Sequence, residues 1–188
     1  MSAVAMQNNQ VNHAEVERKV SKAKALLILD HPFFGTAVSK RPIIYTDTVP
    51  TAAMTGTGQM YINPAFVEPM TVRQLMFLLA HEGLHYMLCH SLRLGNRRAY
   101  AWNVACDKVI NDTLIDCKVG DFIEGGVYMD GARNSSAEQL YDANGDGGNT
   151  NNNHNNNNNN SNNHNNNNSS NNNNTVTNDN NINNDDGD

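Results

Sequence analysis

The strongest constraint on the fold is an abrupt change in composition after Ala143. From Asn144 to Asp188 the sequence is mostly Asn, and only Val176 and Ile182 are sizeable apolar residues. Such a segment cannot bury enough apolar surface to offset the entropy of ordering its backbone. We therefore predict a disordered Asn-rich tail over 144–188. The preceding residues, 1–143, are enough for a single domain with one hydrophobic core.

The charge balance of the predicted domain gives no sign of a polyanionic partner. The chain has a formal net charge of -6, but its last 45 residues contribute five Asp and no Lys or Arg. The predicted domain therefore holds 13 basic and 14 acidic residues and is close to neutral. We expect no binding to nucleic acid.

Several features of the sequence also predict the compartment. The first residues contain no apolar segment of the kind found in secretory signals, and no apolar run is long enough to cross a bilayer. The three cysteines, Cys89, Cys106 and Cys117, form no CxxC pair. We expect a cytoplasmic protein with free thiols and no contact with a membrane.

The apolar pattern along the chain is helical, then extended, then helical again. It predicts a helix from about 11 to 29, ended by Pro32, and strands at 42–46 and 59–63 with a loop at 51–57 between them. A helix over about 71–92 has Thr71 and Gln74 in a capping box and Gly95 as a stop signal. Helices over about 98–115 and near 136–141 are also predicted. The helix over 71–92 is apolar on most sides and should be buried.

The chemistry of the chain is concentrated in the sequence HEGLH, residues 81 to 85. His81 and His85 are four residues apart and therefore project from the same face of a helix, where two neutral imidazoles can hold one tetrahedral Zn²⁺ ion. Glu82 is predicted to act as general base on the water that zinc activates, and then to return the proton to the leaving amine. A catalytic zinc site usually has a third protein ligand.

Asp107 is the best candidate for the third ligand. Asn103, Asp107 and Asn111 recur every four residues and form a polar stripe on the helix over 98–115, which should pack antiparallel to the HEGLH helix. The two asparagines would then support the ligands. On a continuous helix His90 would point away from His85, so it is predicted to be a supporting or structural histidine. His90 and Glu124 remain alternatives to Asp107.

Cys89 shares the His85 face but lies one turn further along the helix, where we predict a buried thiol.

Several segments together resemble the family described as "putative metallopeptidase domain", found in many bacterial and phage proteins. The resemblance covers about residues 30 to 141 and combines HExxH with a following His and a WNxAxD helix. The segments that carry it are YTDTVPTAA (45–53), YINPAF (61–66), HEGLHYMLCHSLR (81–93), WNVACDKVIN (102–111) and SAEQLY (136–141). In many relatives a von Willebrand factor A-like domain follows the metallopeptidase domain. Here the Asn-rich segment 144–188 stands in that position, so we expect the second domain to be absent.

The resemblance implies a zincin-like α+β domain with a buried HExxH helix, a second helix that supplies a metal ligand, and a small sheet. It places His81, His85 and Asp107 on zinc and makes Glu82 the base. By analogy with zincins, an edge strand at Met60–Asn63 would bind an extended peptide substrate.

Two functions remain open at this point. The first is a zinc metallopeptidase that acts on a protein or peptide. The alternative is a metal-stabilised binding or structural module of phage or bacterial origin that keeps the site without turnover. A purely structural site would not need Glu82, so this residue separates the two.

Overall fold

The structure, a computed structural model, describes residues 11–143, and the predicted disordered tail lies outside the described residues. The fold is a helix-rich α+β arrangement with one small sheet. Its elements in chain order are α1 (His13–Asp30), α2 (Pro32–Ser39), β1 (Ile43–Tyr45), β2 (Ala52–Met54), β3 (Met60–Ile62), α3 (Pro64–Val67), α4 (Val72–Met87), α5 (His90–Arg93), α6 (Ala99–Asp116), a 3-10 turn (Ala132–Asn134) and α7 (Ala137–Ala143).

Helices α1 and α2 cover one side of α4. The side chain of Asn12 caps α1 by accepting a hydrogen bond from the Glu15 N–H, and the helix buries apolar residues at helical spacing. Pro32 was predicted only to end α1, but it also occupies the first turn of α2, where a missing N–H costs nothing. A Cβ added at Gly83 of α4 would lie 3.0 Å from the Ala37 Cβ of α2, so glycine allows the two helices to approach closely.

The sheet has the strand order β1-β3-β2. Strand β3 pairs in parallel with β1 and antiparallel with β2, so it is the central strand. The prediction of an edge strand at Met60–Asn63 is therefore wrong. The prediction of a loop over 51–57 is wrong in part, because β2 lies within it. Its residues, Ala-Ala-Met, have no local strand pattern, and pairing with β3 makes the segment a strand.

Helix α4 is the centre of the described domain. It begins as predicted, since the Thr71 hydroxyl accepts from the Gln74 N–H and the Gln74 side chain accepts from the Thr71 N–H. Nine of its residues are buried, which confirms the predicted burial. The helix stops at Met87 instead of continuing to 92. Cys89 then adopts a left-handed conformation with φ 53°, and α5 starts in a new direction.

A second apolar cluster fixes α6 to the last helix. Trp102 and Ala105 of α6 pack with Leu140 and Tyr141 of α7. Ser136 caps α7, because its hydroxyl accepts a hydrogen bond from the Gln139 N–H. This cluster holds α6 so that its polar stripe lies against α4. None of the helices described within residues 11–143 is long and apolar enough to cross a membrane.

Candidate metal centre

Helices α4 and α6 bring three potential metal ligands together. The Nε2 atoms of His81 and His85 are 3.1 Å apart. Asp107 Oδ1 lies 3.0 Å from His85 Nε2 and 3.5 Å from His81 Nε2. The three atoms therefore form a nearly equilateral triangle, and each side chain is about 15% exposed. Within the described residues, His81, His85 and Asp107 are the group of three that could hold a metal ion.

The triangle matches the size of a tetrahedral metal site. Metal–ligand bonds of about 2.1 Å at tetrahedral angles separate the ligand atoms by about 3.4 Å. The observed separations of 3.0 to 3.5 Å are close to this value before any adjustment. Three ligands of this kind would leave a fourth position open for water or substrate.

Asn111 fixes the tautomer of His81. The Asn111 amide Nδ2 donates to the Val127 carbonyl at 2.7 Å, so its Oδ1 must be the atom that faces His81 Nδ1, at 2.8 Å. An amide oxygen can only accept a hydrogen bond, and His81 Nδ1 must therefore carry the proton. The Nε2 lone pair of His81 is then directed at the triangle, as metal binding requires.

His90 orients the second histidine. Its Nδ1 lies 3.2 Å from His85 Nδ1, and its backbone carbonyl accepts a hydrogen bond from Trp102 Nε1 at 2.8 Å. Burial, with the nearby charges of His85 and Arg93, lowers the pKa of His90 to about 3. Neutral His90 can accept the proton of His85 Nδ1 and leave the His85 Nε2 lone pair for a metal.

The expectation that His90 points away from the site is wrong, and its cause is the break in the helix. A continuous α4 would turn His90 away from His85, but the left-handed residue Cys89 redirects the chain and brings the ring back. Cys89 itself is exposed, which corrects the prediction of a buried thiol.

Electrostatics couple the two histidines to Asp107. Burial favours the neutral forms of His81 and Asp107, yet hydrogen bonds and nearby charges outweigh it. The pKa of His81 is raised, through Asp107, Glu82 and Asn111, and the pKa of Asp107 is lowered to about 2, through His81 and His85. Asn103 Nδ2 also donates to Asp107 Oδ2 at 2.9 Å, and leaves Oδ1 facing the histidines. Protons compete with a metal for His81, whose pKa is raised, so acid should weaken metal binding.

Glu82 is buried next to this triangle, with 7% of its surface exposed. Two cavities meet at its side chain, and both are also lined by Thr51, His81 and Asp107. The first, of about 260 Å³, runs between β2 and helices α4 and α6. We call it the groove. The second, of about 380 Å³, extends from the site toward the loop over 120–127.

A substitution at Asn111, in the polar stripe of α6, tests whether this residue orients His81 for metal binding. Replacing Asn111 with Leu should weaken metal binding about 10- to 100-fold, because the proton on His81 Nδ1 loses its acceptor. A competition titration with a chromophoric chelator would measure the change. Histidine ¹⁵N spectra should show that His81 no longer keeps a single tautomer.

Thr113→Val is the matched control on the same helix, since the Thr113 hydroxyl bonds to the Val109 carbonyl, one turn back in α6. Equal metal affinity for Asn111→Leu and Thr113→Val would contradict the role assigned to Asn111.

Part of the site has no clear signal in the sequence. Strand β2 was missed because its three residues, Ala52 to Met54, are neither β-branched nor aromatic and do not alternate between apolar and polar. The loop over 120–127 was missed as a cavity wall, although Gly120, Gly125 and Gly126 mark it as irregular chain. The position of His90 depends on a left-handed conformation at a residue that is not glycine.

Comparison with known proteins agrees with the local geometry. No curated protein and no solved structure matches the chain significantly. Residues 15–185 match the family described as "Putative metallopeptidase domain". A family of this description implies a metal cofactor, and the His-His-Asp group offers a place for one. Because the match covers most of the sequence, the chain belongs to this family of metallopeptidase domains.

Proposed function

We propose that this protein is a zinc-dependent metallopeptidase with a zincin-like site. The observation that carries the proposal is the convergence of His81 Nε2, His85 Nε2 and Asp107 Oδ1 beside the buried carboxylate of Glu82. Burying the Glu82 carboxylate costs free energy, and a role in the reaction would explain why one is kept at this position. General base catalysis would provide that role.

Zinc is the metal that suits these donors best. Two imidazole nitrogens and one carboxylate oxygen in a tetrahedral arrangement are typical of catalytic zinc, whereas Mg²⁺ and Ca²⁺ prefer sites built from oxygen ligands. When bound, zinc would polarise the scissile carbonyl and lower the pKa of a water molecule in the open position.

Glu82 would move the proton during the reaction. It follows His81 directly on α4, and its side chain lines both cavities that open from the site. From there its carboxylate can accept a proton from the attacking water and pass it to the nitrogen of the leaving amine. His90, Asn103 and Asn111 would keep the histidines and Asp107 oriented during these steps.

Strand β2 is the better candidate for the substrate-binding strand. On either side of β2, the Asn63 N–H donates to the Thr51 carbonyl and the Thr55 N–H donates to the Gln59 carbonyl. The backbone N–H and C=O groups of the odd-numbered residues 51, 53 and 55 therefore point toward β3. The backbone groups of Ala52 and Met54 must then point away from β3, since this direction alternates along an antiparallel strand. Within residues 11–143, β2 has no strand on that side.

An extended peptide could add to this edge of β2 and lie in the groove. Hydrogen bonds to Ala52 and Met54 would hold the peptide backbone, as in other cases of β-addition. The groove is lined by β2 on one side and by His81, Glu82 and His85 on the other. A peptide bond in the groove would therefore lie next to the candidate metal site.

An unbiased peptide library would test the function. The full chain should be stripped with a chelator, reloaded with Zn²⁺, and incubated with the library, with cleavage products identified by mass spectrometry. We expect cleavage that the chelator abolishes and that stoichiometric Zn²⁺ restores. Zinc bound at one equivalent with no cleaved peptide would contradict the peptidase and favour a metal-stabilised binding module.

A further inference from the structure

The cavity of about 380 Å³ beside the site has the character of a side-chain pocket. Its inner end contains His81, Glu82 and Asp107, and Thr51, the residue before β2, lies on its wall. The remaining wall is mostly apolar. We call this cavity the apolar pocket, and its large apolar residues are Phe66, Phe77, Leu78, Phe122, Ile123 and Val127.

The outer wall of the apolar pocket is held from both ends. We call the segment over 120–127 the wall loop. At its start, Arg73 of α4 donates to Asp121 Oδ1 at 2.8 Å and to the Gly120 carbonyl at 2.9 Å. At its end, the Val127 carbonyl accepts from Asn111. These contacts indicate a pocket that is formed before any substrate binds, which lowers the entropic cost of binding.

Aromatic packing and a tight turn stabilise the middle of the wall loop. The rings of Phe77 and Phe122 meet edge to face with centroids 5.6 Å apart. The Gly126 N–H donates to the Ile123 carbonyl across a turn in which Gly125 has φ 85°. A Cβ at Gly126 would lie 3.0 Å from the Phe122 ring, so glycine allows this turn to pack on the ring.

The charges around the apolar pocket restrict what it can hold. None of the described residues that line it is Lys or Arg, whereas Glu82, Asp107 and Glu124 all contribute carboxylates. An acidic side chain in the middle of the pocket would lose its hydration against apolar walls, would meet no Lys or Arg among the described lining residues, and would share the pocket with the carboxylates of Glu82 and Glu124. Glu82 and Asp107 lie at the inner end and Glu124 is exposed, so the middle of the pocket offers mainly apolar contacts.

We propose that the apolar pocket binds a large apolar side chain of the substrate, such as Leu, Ile, Met or Phe, next to the cleaved bond. This inference rests on the proposed peptidase function. It follows from three features of the structure: the pocket opens at Glu82 and at the ligand triangle, it adjoins the start of β2 at Thr51, and its wall is preformed and apolar. Acidic residues at the same substrate position are rejected.

Binding of peptide hydroxamates to the zinc-loaded chain tests the pocket without requiring turnover. A hydroxamate group binds zinc, and the neighbouring side chain can be varied as Gly, Leu, Phe, Lys or Glu. We expect the Leu and Phe compounds to bind about 10- to 100-fold more tightly than the Gly compound, as measured by calorimetry. The Glu compound should bind most weakly.

Substitutions at Ile123 show whether the preference arises in this pocket. Ile123→Trp should fill the pocket and remove the advantage of Leu and Phe over Gly, while Ile123→Ala should favour Phe over Leu. Ile115→Ala is the control, since Ile115 is an apolar residue that contributes to a separate cavity behind Phe122. The affinity of the Gly compound should be the same in all variants, which shows that fold and metal site are intact.

The outcomes separate the pocket from the peptidase. Equal affinity for all five compounds, or tightest binding of the Lys or Glu compound, would contradict the proposed apolar preference of the pocket. The proposed peptidase function would be unaffected. Tight binding of the Leu compound by a protein that cleaves no peptide would overturn the peptidase and leave the pocket only as a binding site for apolar side chains. If no hydroxamate bound the zinc-loaded chain, both proposals would fail.

Discussion

Replacing Glu82 with Gln is expected to lower kcat for peptide cleavage by about 10²- to 10⁴-fold. Glutamine has nearly the same shape as glutamate but cannot accept the proton of the attacking water. Metal affinity should change little, because Glu82 is not part of the ligand triangle. Steady-state kinetics on a peptide cleaved by the wild type, together with zinc titration, would measure both quantities.

Glu17→Gln is the matched control for this experiment. Glu17 is an exposed carboxylate on α1 and lines neither the groove nor the apolar pocket. Its amide variant should keep the kcat of the wild type. A Glu82→Gln protein that kept wild-type kcat would show that another group removes the proton.

Replacing Asp107 with Ala is expected to weaken zinc binding by more than about 100-fold. Loss of a supporting residue around a metal site costs about 10- to 100-fold, and loss of a direct ligand should cost more. The variant would also leave His81 and His85 without the carboxylate that lies 3.0 Å from His85 Nε2. A competition titration at pH 7 would measure the loss.

Two comparisons make the test of Asp107 specific. Asp116→Ala removes an exposed carboxylate from the same helix, which pairs with Arg133 at 3.2 Å, and should leave zinc affinity unchanged. Asn103→Ala removes the hydrogen bond to Asp107 Oδ2 and should give an intermediate loss. If Asp107→Ala bound zinc as well as the wild type, the third ligand would lie elsewhere, and Glu124→Ala would be the next variant to measure.

The local patterns in the sequence predicted the helices that supply the candidate site. Thr71 and Gln74 fixed the start of α4, and the spacing of His81 and His85 placed both rings on one face of it. The interval of four between Asn103, Asp107 and Asn111 predicted a polar stripe on α6, and the structure places that stripe against the two histidines. These predictions succeeded because capping and helical periodicity depend on neighbours within one or two turns.

The strand predictions succeeded only in part, for a different reason. The sequence indicated strands near β1 and β3, but which strand lies at the edge depends on pairing between distant residues. Strand β3 pairs with β1 in parallel on one side and with β2 on the other. No local pattern in Ala52 to Met54 records that pairing, so the candidate substrate strand could not be identified from the sequence.

The sequence by itself determined the chemistry available to this protein: two histidines and a glutamate on one capped, apolar helix, and an aspartate on the next. The tertiary structure decided how these groups are used. The break at Cys89 brings His90 to His85, and the link from Asn111 to Val127 fixes both His81 and the wall loop. Among the residues that the structure describes, β2 pairs with β3 on one side only and leaves its other side toward the site. Each depends on contacts between residues distant in the chain or on a single strained backbone position, which periodicity and capping do not encode.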